Sequence, residues 1–150
     1  MVERNGPIEI LLVEDNEGDV EIVERALEDA TLPCRLTTAY NGLEALACLR
    51  REGKYENAAR PELILLDINM PGMDGKQLLE IIKQDVELKL IPALMLTSSS
   101  APKDVRQCYE RYANGYVVKP FDAPVFMKAV QEVVIFWGTR VRLPSRASAR

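Results

Sequence analysis

The feature that most limits what this chain can become is an alternation. Five short apolar runs, at 8–13, 34–39, 62–67, 91–97 and 116–120, are each followed by a segment with helical spacing, at 19–30, 41–52, 76–85, 102–113 and 123–137. In the first helical segment Val20, Val23 and Leu27 share one side, with Ile22, Ala26 and Ala30 beside them, the period of an amphipathic helix. Runs such as IEILLV and ELILLD are apolar at successive residues, as in strands of a parallel sheet covered on both faces. Five β-α units joined by right-handed crossovers make an α/β fold, a doubly wound five-stranded parallel sheet with helices on both faces. A chain of 150 residues, 47% apolar, is enough for one such domain and its core.

Composition removes several function classes. No apolar run approaches the length of a membrane span, and the N-terminus carries no apolar signal region. The three cysteines, Cys34, Cys48 and Cys108, are odd in number and far apart, which predicts reduced thiols and a cytoplasmic protein. Net charge is −4, yet residues 133–150 hold four arginines and no acid, so the body is more acidic than the whole. An acidic body argues against nucleic acid as a partner.

In a sheet of this kind ligands bind at the carboxyl ends of the strands. Those ends carry chemistry here: Glu14 and Asp15 after the first run, Asp67 closing the third, Thr97 closing the fourth, Lys119 within the fifth. Three carboxylates side by side repel unless a cation joins them. They are hard oxygen ligands in a chain without histidine, which favours Mg²⁺ over Zn²⁺. Mg²⁺ keeps open positions for phosphate oxygens. The set therefore suits phosphoryl transfer: Mg²⁺, the Lys119 ammonium and the Thr97 hydroxyl each meet one phosphoryl oxygen, and Asp67 is the nucleophile.

The ordered segments LLVEDN, LLDINMPGMDG, MLTSS and GYVVKPF resemble the receiver domain of two-component response regulators, over residues 8–137. The resemblance implies a flavodoxin-like sheet of order 2-1-3-4-5, a receiver domain at 1–137 and a C-terminal extension at 138–150. It implies that Asp67 accepts a phosphoryl group from a histidine kinase. Mg²⁺ would be held by Asp15 directly, by Glu14 through water, by Asp67 and by the backbone carbonyl of Asn69. Thr97 becomes the switch hydroxyl, Tyr116 the switch aromatic, Lys119 the phosphate clamp, and Pro120 a cis proline. Such a protein is no enzyme beyond its own phosphorylation and dephosphorylation. FWGTRVRLP, together with LLVEDNEGDV, is similar to stand-alone regulators that partner bacterial and cyanobacterial phytochromes. That match implies a phytochrome-type histidine kinase as partner, and a homodimer.

The last helical segment has more apolar surface than one sheet face needs. Phe126, Val130, Val133 and Trp137 recur at helical spacing, with Met127, Val134 and Ile135 off that stripe. A homodimer contact through Phe126, Val130, Val133, Val134 and Trp137 is one expectation; a helix fully buried in its own domain is the other. RVRLP reads as an extended arm and the residues from Pro144 on as disordered. Three rivals use the same residues. A haloacid-dehalogenase-like phosphohydrolase needs a second aspartate two residues after the first, where this chain has Asn69. A receiver-like dimerisation module would never take phosphate. A flavodoxin-like FMN carrier needs a Ser/Thr/Gly-rich loop where this chain has acids.

Overall fold

The computed structural model describes Arg4 and residues 6–144. Its strands are β1 (Ile8–Val13), β2 (Cys34–Ala39), β3 (Leu63–Leu66), β4 (Ala93–Thr97) and β5 (Gly115–Val118). Its helices are α1 (Glu17–Glu28), α2 (Gly42–Arg50), α3 (Gly75–Gln84), α4 (Pro102–Glu110) and α5 (Ala123–Thr139), with short 3-10 turns at Gly53–Tyr55 and Leu88–Leu90. All neighbouring strands run parallel, in the order β2-β1-β3-β4-β5. The doubly wound sheet and its order are those expected from the sequence.

The pleat divides the core. Alternate residues of a strand face opposite sides, so Leu11, Val13, Ile64, Leu66 and Met95 pack with α2, α3 and α4. Ile10, Leu12, Leu63, Leu65, Leu94 and Leu96 pack with α1 and α5. Every residue of β1, β3 and β4 is buried, which is why their sequences show no polar alternation.

Four helices start on a side-chain cap. Asn16, Asn41, Asp74 and Asp122 accept from the backbone N–H three residues on, and Gln77 returns the bond to Asp74 in a capping box. The Asn16 cap starts α1 two residues ahead of the expected 19–30. The α4 helix has Ala101 at its N-cap with no side-chain bond, and opens on Pro102.

Three expectations need correcting. Helix α5 does not stop at 137 but runs to Thr139. A β-carbon at Gly138 would overlap Leu32 Cδ2, so glycine lets the helix pass close to the loop before β2 instead of ending there. The expected extended arm folds back: Val141 N–H donates to the Phe136 carbonyl at 3.3 Å, and Leu143 packs on the α1/α5 core. The tail at 145–150 lies outside the described residues. Finally, no peptide bond among the described residues is cis, so the Lys119–Pro120 bond is trans, the isomer an X–Pro bond intrinsically favours.

Candidate functional site

The sheet's hydrogen-bond ladder runs one residue past three of the strands, and in each case that residue is a predicted site residue. Glu14 N–H donates to the Ala39 carbonyl at 3.0 Å, Asp67 N–H to Val13 at 3.0 Å, and Lys119 N–H to Thr97 at 2.8 Å. Each backbone is thus held by the neighbouring strand, and three charged side chains leave the same edge. Glu14, Asp67 and Thr97 are buried, while Asp15 is exposed at the mouth.

These placements bring the acids together. One carboxylate oxygen from each of Glu14, Asp15 and Asp67 lies within 4.8 Å of the others. The Lys119 ammonium enters the same space, 2.5 Å from Glu14 Oε1, 2.8 Å from Asp19 Oδ2 and 3.4 Å from Asp67 Oδ2. Asp67 Oδ1 accepts from the Ile68 N–H at 2.8 Å, which fixes the carboxylate plane. Beyond it the chain turns through Gly72, whose φ of +75° suits glycine, and Gly75 N–H closes the loop on the Ile68 carbonyl at 2.8 Å.

The charges are out of balance. Burial, with the Asp67 charge beside it, pushes the Glu14 carboxyl up to about 7, against the Lys119 hydrogen bond, which pulls it down. Burial alone would lower the Lys119 pKa; the bonds to Asp19 and Glu14 more than offset it and hold the ammonium above the ordinary lysine range. One cation among this many carboxylates leaves net negative charge that a divalent ion would neutralise. Three oxygen ligands with an open mouth suit a hard cation, so the residues fit the metal that the sequence implies. Asn69 is exposed on the loop after Asp67.

Thr97 and Tyr116, the expected switch residues, stand beside this pocket. Thr97 closes β4, fully buried, and its Oγ1 accepts from the Ser99 N–H at 3.5 Å. Tyr116 donates its hydroxyl to the Ser99 carbonyl at 2.8 Å, and burial pushes its phenol pKa up. Ser99 also donates its hydroxyl to Asp104, which takes a 2.5 Å ion pair from Lys76 of α3. This chain of contacts ties the loop after β4 to β5 on one side and α3 on the other.

Sequence reasoning missed two parts of the site. Asp19 stands in the first turn of α1, where an acid already suits the helix dipole, so its sequence position does not single it out. The Lys76–Asp104–Ser99 network joins residues remote in sequence, and no local pattern signals it. The α5 residues expected at a dimer contact are mostly spent elsewhere. Phe126, Val130 and Val134 are buried against their own sheet, and Val133 and Trp137 are half-buried on the same core. Fully exposed Phe121 and half-exposed Val125 and Phe136 are large apolar residues that this region presents to solvent.

Comparison with known proteins agrees with the geometry. The family model described as the response regulator receiver domain matches residues 10–131. Response regulator Rcp1 of Synechocystis is 42% identical over 143 residues, covering 95% of this chain and 97% of its own. The crystal structure of the phosphorylated cyanobacterial phytochrome response regulator RcpA superposes with a TM-score of 0.89 at 39% identity, over 93% of this chain and all of that one. The Mn²⁺-bound form of Rcp1 superposes with a TM-score of 0.87, over 93% and 100% of the two chains. With the five-stranded sheet in 2-1-3-4-5 order and the acids and lysine gathered at its carboxyl edge, this chain belongs to the response regulator receiver family.

Proposed function

We propose that Asp67 is the residue through which this chain serves as a two-component phosphoacceptor. The observation that carries the assignment is the position of Asp67, one oxygen held by its own loop and the other facing Lys119 inside the acid cluster. In the transfer an Asp67 oxygen attacks phosphorus, an O–P bond forms, and the bond from phosphorus to the kinase histidine nitrogen breaks, leaving that nitrogen with the electron pair. Lys119 pairs the anionic phosphoryl oxygens, and the Thr97 hydroxyl turns to donate to another. Mg²⁺ would be held by Asp15, Asp67 and the Asn69 carbonyl directly and by Glu14 through water, and when bound would neutralise charge on the phosphoryl oxygens. No general acid stands two residues after Asp67, where Asn69 lies, so turnover of other phosphate esters has no proton donor.

Movement of Thr97 and Lys119 toward the phosphoryl group shifts Ser99, and with it the Tyr116 hydroxyl and α4; that surface is the output. The kinase partner is of the phytochrome type, a reading supported by the kinship with RcpA and Rcp1. The protein works in the cytoplasm, and no helix among the described residues is long and apolar enough to cross a membrane. Its acidic body suits neither nucleic acid nor a membrane surface.

The protein acts as a homodimer whose contact is centred on Phe136 of α5. Phe136, half exposed, lies in an apolar groove with Leu32 and Ile135, and Glu132 and Arg140 stand one turn to either side. A second copy laid antiparallel about Phe136 brings Glu132 to Arg140 of the partner subunit, the self-complementary pairing that two-fold symmetry requires.

The phosphoacceptor role is tested by incubating the protein with acetyl phosphate and Mg²⁺ and weighing it intact. Wild type gains one phosphoryl group, with acetate as the leaving group; Asp67→Ala gains none. Label surviving in Asp67→Ala overturns the assignment.

A further inference from the structure

Lys119 has three acceptors, and the phosphoacceptor is the most distant. Glu14 and Asp19 hold the ammonium at 2.5 and 2.8 Å, while Asp67 stands at 3.4 Å. An ammonium has three N–H donors, so these contacts occupy all of them. Glu14 and Asp67 belong to the acid cluster; Asp19 does not. Among the described residues, its carboxylate pairs with the lysine.

Asp19 is set there by local structure. Asn16 caps α1 by accepting from the Asp19 N–H at 2.9 Å, which holds the Asp19 backbone in the first turn, and from there its carboxylate reaches Lys119. An acid in a first helical turn is favoured by the helix dipole whatever it touches, and exposed Glu17 meets that need in the open. Asp19 instead lies against an ammonium only 7% exposed, with its own side chain 27% exposed.

We propose that Asp19 is a positioning residue that restrains Lys119 on the α1 side, and so sets how strongly the lysine grips the phosphoryl group on Asp67. The inference rests on the phosphoacceptor reading of Asp67. A phosphoryl group brings anionic oxygens that draw Lys119. Asp19 competes for the same ammonium and adds a negative charge beside the group. Asp19→Asn keeps the shape and an acceptor oxygen but removes the charge, which frees the lysine to move toward Asp67.

The test measures beryllofluoride binding, a phosphoryl mimic, in the presence of Mg²⁺, and the decay of the acyl phosphate made with acetyl phosphate. Asp19→Asn binds beryllofluoride about three- to tenfold tighter, the worth of one ordinary hydrogen bond, and keeps its phosphoryl group longer by a similar factor. Asp19→Ser, a residue well suited to the start of a helix, shows the same gain. In a Lys119→Gln background the Asp19 substitution has no effect, because the lysine carries it. Unchanged or weaker binding in Asp19→Asn and Asp19→Ser overturns the proposal. An equal gain without Lys119 also overturns it, since Asp19 would then act as a distant charge. Failure of wild type itself to bind beryllofluoride or take label overturns the phosphoacceptor reading as well, and is distinguishable on that ground.

Discussion

Gly75 backs directly onto Asp67: a β-carbon at Gly75 would overlap the Asp67 carbonyl oxygen and stand 2.7 Å from Ile68 Cα. The start of α3 and the loop after Asp67 are therefore in backbone contact, and no side chain fits between them. Gly75→Ala must push that loop outward, at a cost of about 1–3 kcal/mol. Urea unfolding is expected to show the loss, and labelling by acetyl phosphate should slow with it, because the Asp67 carboxylate no longer meets Lys119. Full stability and wild-type labelling in Gly75→Ala would show that the contact is not rigid.

Glu14 makes metal-free stability depend on pH. Its carboxyl is pushed up from 4.5 to about 7 by burial, so between those values the folded protein binds more protons than the unfolded chain. The stability this proton contributes is fully present below about pH 4.5 and is lost as pH rises through about 7. The chain has no histidine to titrate in that window. Urea midpoints taken in a chelator should fall across it, and the slope should vanish in Glu14→Gln. Mg²⁺ should recover the stability at the alkaline end, because it binds the folded state alone and needs Glu14 ionised.

On the proposed reading, Tyr116 serves the switch and not the chemistry. Its hydroxyl bond to Ser99 is worth about 0.5–1.5 kcal/mol, so Tyr116→Phe should be destabilised by that order while Asp67 is still labelled. In wild type the phenol should ionise above the ordinary tyrosine range, read by ultraviolet titration, since burial raises its pKa.

Phe136 is the test of the dimer. Phe136→Asp places a charge at the centre of the proposed two-fold contact, where burial without a partner is costly. Sedimentation should show wild type as a dimer and the variant as a monomer, with unchanged thermal stability at monomer concentrations, because Phe136 is half exposed. A wild-type monomer would remove the proposal.

The sheet and the charged residues at its edge were legible because both are written locally. Continuous apolar runs mark β1, β3 and β4, and Glu14, Asp67 and Lys119 follow from where those runs and β5 stop. Helix α5 was harder. It is apolar on several sides, and periodicity cannot tell the side that meets its own sheet from the side left outside. Phe126, Val130 and Val134 thus turned out to be core. Its extension to Thr139 depends on Gly138 meeting Leu32, a contact between residues over a hundred apart. Asp19 was hidden for a different reason: an acid in a first helical turn already has a sufficient local explanation, and its bond to Lys119 exists only in three dimensions.

The central claim is that Asp67 carries the phosphoryl group, and borohydride tests it most directly. Reduction of an acyl phosphate converts the aspartate that bears it to homoserine and releases phosphate. Protein labelled with acetyl phosphate and Mg²⁺, reduced, digested and mapped should show homoserine at position 67 alone. Homoserine at 15 or 19, or none in a protein that has gained phosphoryl mass, would contradict the account.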